Sequence, residues 1–325
     1  MNNHEQVAKN HWYRNADIPG VPGPERDLVG YGETLPKVVW NEDGAKVAVN
    51  IVVNYEEGSE LTFAMGDGCN DGMYELPFDV EGQRDLAKES MYEYGSRAGI
   101  WRMFRTFDRL EVPATIFGAA VALERNPEVV ERMKSRGDDL VGHGYRWIDH
   151  YHYSREEERE LIALALESFK EMGLKTSGWY CREMSTNTRE LLVENGNFLF
   201  DSDYYGDDLP FWTRMNGKDH LVVPYSLVTN DCRYIMGTGF GSPSDFVDYC
   251  ARALDQLLLD VEHDGCGRML SIGIHPRITG HPARIHALAE FISYAKAQEG
   301  VVFMRRTDIA TTFAQQVPPP KHSRF

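Results

Sequence analysis

The sequence predicts a single α/β domain built as a (β/α) barrel of about seven units, and three observations predict it. Short apolar, β-branched runs alternate with amphipathic stretches from residue 46 to about 315, which is the pattern of a parallel sheet with covering helices. About seven such units in one chain suit a closed or nearly closed barrel better than two domains. Several runs also stop on polar clusters, and in such barrels chemistry is built at the carboxyl ends of the strands.

Residues 1–45 are polar and rich in Gly and Pro (Pro19, Pro22, Pro24, Pro36) and read as an extended arm that packs on a neighbouring subunit. V-A-V-N-I-V-V at 47–53 is the first buried strand, followed by N-Y-E-E-G at 54–58. Two adjacent carboxylates at a strand end are costly unless paired, hydrated or metal-bound. The alternative is a solvated Glu-Glu step in a loop. Residues 58–88 hold many Gly and Asp and form a long insertion. Tyr94, Ala98, Trp101, Phe104 and Phe107 recur at helical spacing within 90–108. A strand follows at 114–120. Asn126 and Pro127 then open a helix over 126–133. D-L-V-G-H-G (139–144) is a short strand that runs into His143, and Ser154 with Glu157 marks a capping box for a helix to Met172. Strands at 177–181, 198–203, 221–226, 269–275 and 301–306 and helices at 186–195, 244–262, 283–298 and 307–315 complete the alternation. The barrel spans 46–315, and residues 316–325 are a disordered tail.

Composition removes several classes of function. With 34 basic and 50 acidic residues the net charge is −16, which disfavours a nucleic-acid or anionic-membrane partner. Five widely spaced cysteines without a C-x-x-C pair fit reduced thiols. The N-terminus has no apolar signal segment, and no run of 18 apolar residues occurs. The expectation is a cytoplasmic enzyme meeting a small molecule.

One mouth of the barrel collects Asn54, Glu56, Glu57, His143, Arg146 and Trp147 from its first half. Trp179, Arg182, Glu183, Asp201, Asp203, Asn230, Asp231 and His275 come from its second. This mixture suits acyl chemistry on a neutral polar substrate. A carboxylate or histidine activates water, a second histidine protonates a leaving nitrogen, and Arg and Asn hold carbonyl oxygens. Bland readings stand beside these. His143 is alternatively a satisfied structural histidine, and His150 and His152 read as surface or interface residues. Arg277, Arg284, Arg305 and Arg306 are alternatively partners that offset nearby acids, and Arg182–Glu183 a structural ion pair. Neither H-x-x-x-H nor H-E-x-x-H occurs, so zinc-site spacing is not met.

The order of these motifs resembles the polysaccharide deacetylase (carbohydrate esterase family 4, NodB-homology) superfamily, which implies a distorted (β/α)7-type barrel. Asn54-Tyr55-Glu56-Glu57-Gly58 falls on the family's Asp-Asp motif of base and metal ligand. His143 matches the first metal histidine, the second falls on Trp147, and Ile274-His275-Pro276 matches the late histidine. R-D-L-V-G-Y-G (26–32), S-M-Y-E-Y-G-S-R-A-G (90–99), H-G-Y-R-W-I-D (143–149), D-D-L-P (207–210), S-I-G-I-H (271–275) and P-A-R (282–284) resemble the allantoinase and cyclic-imide hydrolase branch. That branch reads W-Y-T-G-R-T at its third motif. Here W-Y-C-R-E-M places Glu183 where the arginine stands and Arg182 one position earlier.

The resemblance implies a hydrolase of C–N bonds in small cyclic amides, such as a ureide or imide, and a homo-oligomer. Glu56 or Glu57 would activate water and His275 would protonate nitrogen. His143 would position water or, with Glu57, hold one divalent metal such as zinc; a metal-free site is the equal alternative. Asn54, Arg146, Arg182, Glu183, Asp231 and Arg277 would bind substrate, with Trp147 and Trp179 as pocket walls that exclude polymers. The competing readings are an N-deacetylase or deformylase of an acylated amine and a barrel that binds without catalysis.

Overall fold

The computed structural model describes residues 20–72, 76 and 78–320. Its centre is β1 (Val47–Tyr55), buried along its whole length. Seven apolar residues with β-branched side chains at most positions leave neither face suited to water. β1 pairs in parallel with β8 (Arg268–Ile274) along one side. Its other side is shared by β9 (Val301–Phe303) over its first residues and β2 (Thr115–Gly118) over its last. From β2 the sheet continues in parallel through β3 (Asp139–Gly142), β4 (Thr176–Trp179), β5 (Phe200–Asp201) and β7 (Lys218–Val222). The sheet is a curled half-barrel, the distorted (β/α) barrel in a single domain.

β6 (Phe211–Met215) ends the sheet as the antiparallel partner of β7. The sequence reading placed a strand only at 221–226 and missed this hairpin. Its signal is Asn216-Gly217, two residues at φ 52 and 76 that fit a two-residue hairpin turn.

Helices cover the sheet. The expected helix at 90–108 is longer and interrupted: α1 (Leu86–Tyr94), a π-helical turn at Gly95–Gly99, and α2 (Ile100–Leu110). The strand expected over 114–120 ends at Gly118, and α3 (Ala120–Glu124) follows with its A-V-A-L run buried, ahead of α4 (Pro127–Arg136). Asn126 sits at the N-cap of α4, but its side chain donates to Ser96 instead of capping. α5 (Arg155–Glu171) carries the expected capping box, with Ser154 and Glu157 bonding reciprocally. α6 (Thr188–Asn195), α7 (Pro243–Asp264), a single turn α8 (Pro276–Thr279), α9 (Pro282–Lys296) and α10 (Arg306–Gln316) follow.

The described part of the N-terminal arm packs on the chain's own barrel. Val38 and Trp40 are buried, and Tyr31 Oη donates to Pro210 O at 2.7 Å. The tail is also held at its start, where Val317 O accepts Trp212 Nε1 at 2.7 Å. Residues 1–19 of the arm and 321–325 of the tail lie outside the described residues. No described helix is long and apolar enough to cross a membrane.

Arg306 is corrected too, because no acid forms an ion pair with it among the described residues. It is fully buried inside the curl of the sheet. Its guanidinium donates to neutral oxygens only: Ser202, Asn50, Ser271, and the carbonyls of Val223 and Pro224. Phe117 and Tyr225 lie against it at 5.5 Å. Burial lowers its pKa to about 10.

Candidate active site

Strand ends bring the central residues together. Glu56 and Glu57 follow β1, His143 follows β3, Tyr180 follows β4 and His275 follows β8. Glu56 is the hub. Its Oε1 lies 3.0 Å from His143 Nε2 and 3.5 Å from His275 Nε2, and its Oε2 lies 2.7 Å from Arg277 Nη1. Burial alone would raise the Glu56 carboxyl, but Arg277, then His275 and His143, outweigh it and hold it well below the usual carboxylate range. Both ring nitrogens of His143 face acceptors, since Nδ1 lies 3.1 Å from Tyr180 O.

His275 is gripped from behind. Its Nδ1 lies 2.6 Å from Asp231 Oδ1, while Asp231 Oδ2 accepts the His275 backbone N–H at 2.7 Å and the Thr279 hydroxyl at 2.6 Å. Burial opposes the charged ring, but Asp231 and then Glu56 raise its pKa to about 9. His275 therefore carries a proton at neutral pH.

Glu57 plays a different part in the geometry. Its Oε1 accepts the Arg277 backbone N–H at 3.1 Å and its Oε2 accepts the Glu56 backbone N–H at 3.1 Å. Burial pushes its carboxyl up to about 7, against the pull of Arg277 and with Glu56 adding to the rise. The π-helical turn makes this packing possible. A Cβ on Gly95 would overlap the Glu57 carboxylate, and one on Gly99 would overlap Pro276 O. π-turns of this kind gather at functional sites. Here the turn lets α1 and α8 close on Glu57 and Arg277.

The expected binding residues divide. Arg277 and Asp231 touch the central cluster. Trp147 is half-buried between two guanidinium groups, Arg182 at 4.1 Å and Arg277 at 5.0 Å. Arg182 pairs with Asp71 at 2.5 Å and Asp149 at 2.9 Å rather than with Glu183. Arg146 is held by Asp67, with both terminal nitrogens within 2.8 Å of its carboxylate. Glu183 is exposed. Asn54 lies beneath the site, donating to Tyr225 Oη at 3.0 Å and Ile274 O at 3.3 Å.

Trp179 is not a pocket wall. It is fully buried in the core, edge-on to Phe198 and His150, with Gly142 leaving room for its ring. His150 is not a surface residue either. It is buried, with Nδ1 3.1 Å from Glu158 Oε1. Asp201 and Asp203 are buried behind the mouth, the first on Arg189 and His220 and the second on Cys181. Tyr92 escaped the sequence reading. Its ring lies 4.8 Å from the Arg277 guanidinium, and its buried hydroxyl has no partner among the described residues. The only sequence signal for it is its place in the 90–99 motif.

The polysaccharide deacetylase family pattern matches residues 89–195. A Schizosaccharomyces pombe protein described as a "putative polysaccharide deacetylase" is 34% identical over 90% of this chain and 98% of its own length. This chain belongs to the polysaccharide deacetylase family. Among solved structures of the family's fold, PuuE allantoinase is 42% identical and superposes with a TM-score of 0.86 over 94% of this chain and 100% of that one. A "probable polysaccharide deacetylase" of Pseudomonas aeruginosa PAO1 is also 42% identical, with a TM-score of 0.85 over 91% and 99%. The chain is thus a hydrolase of the deacetylase family on its allantoinase-like branch.

Membership implies a metal, and the residues present do not fit one. The Glu57 oxygens already accept two backbone N–H groups, and His143 faces Glu56 instead of Glu57. Trp147 occupies the place of the second histidine. A divalent cation beside Glu56 would also meet the Arg277 guanidinium and the charged His275 ring. Among the described residues no three His, Cys, Asp or Glu side chains converge as a metal cage.

Proposed function

We propose that this protein hydrolyses a C–N bond of a small cyclic amide, a ureide or imide ring, without a metal ion. The observation that carries the reading is the line Asp231–His275–Glu56, with Arg277 and His143 converging on the same carboxylate. A charged imidazole held by a buried carboxylate is a ready proton donor, and an ionised carboxylate 3.5 Å away is a proton acceptor. The 42% identity to PuuE allantoinase supports a ring substrate.

Glu56 takes a proton from water, and the water oxygen adds to a ring carbonyl carbon. Arg277, whose Nε is buried without a hydrogen-bond partner among the described residues, donates where the carbonyl oxygen gains charge, and His143 holds Glu56 in place. His275 then gives its proton to the ring nitrogen as the C–N bond breaks. Asp231 fixes the ring of His275 in the tautomer that presents Nε2. Glu57 acts behind the reacting atoms by tying the backbone of Arg277 to that of Glu56.

The test is net proton release at pH 7.5 in weak buffer, with product analysis. Opening a neutral ureide or imide gives a carboxylate and a neutral nitrogen, so the solution acidifies. Hydrolysis of an acylated amine gives a carboxylate and an amine that retains the proton, its pKa being about 10. Acidification with rings is expected. Turnover of acylated amines alone, without acidification, would replace this reading with N-deacylation, which the description of the Schizosaccharomyces pombe relative favours.

A further inference from the structure

Arg277 is held by ring faces more than by hydrogen bonds. Its guanidinium carbon lies 4.8 Å from the ring centre of Tyr92 and 5.0 Å from that of Trp147. The two ring centres are 6.4 Å apart and the planes are tilted by 56°, so the rings form a corner around the guanidinium. Both faces are within the reach of a cation–π attraction. Arg277 is buried, yet its Nε and Nη1 have no hydrogen-bond partner among the described residues, although Nη1 lies 2.7 Å from Glu56 Oε2. Aromatic faces fix the plane of a guanidinium without using its N–H groups. A donor aimed at developing charge needs this combination, a direction set beforehand and a hydrogen still free.

The corner is itself fixed. Trp147 carries a second guanidinium, Arg182 at 4.1 Å, and Arg182 is anchored by Asp71 at 2.5 Å and Asp149 at 2.9 Å. The Trp147 backbone N–H donates to Ser59 O at 3.3 Å. Tyr92 lies near the end of α1, just before the π-helical turn that closes on Glu57 and α8. Its hydroxyl bonds to nothing among the described residues, so the ring is the part of Tyr92 that Arg277 meets. Trp147 stands where the family resemblance places the second metal histidine. In this chain that place supports the cation of an arginine.

We infer that Tyr92 and Trp147 are positioning residues, which act through Arg277 by aiming its free N–H at the substrate oxygen. The inference rests on the donor role of Arg277 in the proposed hydrolysis and not on which amide is cleaved.

The test reads each variant against the wild type on the amide that the proton-release assay identifies. Tyr92→Leu and Trp147→Leu are each expected to lower kcat roughly tenfold, the scale of a desolvated cation–π contact. KM should stay within about twofold, because the donor acts on charge that develops in the transition state. Tyr92→Phe and Trp147→Phe keep a ring and should stay within about threefold of the wild type in kcat. Arg277→Ala leaves both rings in place. There, added guanidinium should restore part of the turnover in a saturable way, and methylammonium at the same concentration should not. Leu variants with wild-type kcat, a Phe variant as slow as its Leu counterpart, or the absence of a preference for guanidinium over methylammonium overturns the inference. If acylated amines prove to be the substrates, the ring reading falls while the positioning of Arg277 is tested unchanged.

Discussion

Asp231 holds His275 twice, through the ring at 2.6 Å and through the backbone N–H at 2.7 Å. One carboxylate therefore sets both where the imidazole sits and which nitrogen faces Glu56. Asp231→Asn keeps the size of the side chain but removes the charge that sustains the imidazolium. Ring-opening kcat is expected to fall by ~10²-fold, the scale of a lost general acid. The alkaline limb of the pH–rate profile should also move to lower pH. Steady-state rates across pH 6–10 check both.

His275 makes a further pH prediction for the wild type. Its folded-state value of about 9 lies above the unfolded value of 6.5. Its contribution to stability is therefore fully present below pH 6.5 and is lost as pH rises through about 9. Urea midpoints should decline over that window, and the decline should shrink in His275→Ala.

Glu57→Gln tests the division of labour between the two glutamates. The amide retains one acceptor, but its NH2 group faces a backbone N–H, so a buried hydrogen bond is lost. The expected cost is about 1–3 kcal/mol of stability, read by urea unfolding. The wild-type carboxyl is raised from 4.5 to about 7, so its contribution is full below pH 4.5 and is lost on rising through pH 7. The variant should lack that slope. Glu56→Gln should instead abolish turnover.

Gly99→Ala would place a methyl group against the carbonyl oxygen of Pro276. Backbone lies on both sides of this contact, so neither partner swings away. Destabilisation of about 1–3 kcal/mol is expected, with kcat falling because α8 carries Arg277. Thermal unfolding and kinetics on one preparation check the pair of effects.

Dialysis against a chelator should leave ring-opening activity unchanged, because the donor set around Glu56 is matched to cationic side chains. A loss restored by zinc would overturn the metal-free mechanism.

The fold was largely legible in the sequence because its strands are continuous apolar runs and its helices carry clear periodicity. The Ser154–Glu157 capping box is a case where chain chemistry and structure coincide. The misses have physical causes. Asn216-Gly217 was a hairpin signal hidden by the short, half-polar strand beside it. Trp179 closes β4 and His150 lies in the loop after β3, but an aromatic ring and a lone imidazole both fit a core if neighbours satisfy them. Glu158 supplies such a partner from the first turn of the next helix, α5. The central cluster was found because its residues follow strand ends. That Glu57 faces backbone while Glu56 faces two imidazoles depends on a rotation of one side chain relative to the next, which spacing alone does not encode.

Arg306 gives the half-barrel a property that its backbone lacks. Its hydrogen bonds reach β1 and β8 on one wall and the segments after β5 and β7 on the other. A planar fork with fixed donor directions works like a machined spacer between two plates. The five hydrogen bonds of its guanidinium tie the two walls together beneath the site, so a change of Arg306 would reach the catalytic cluster through both walls at once.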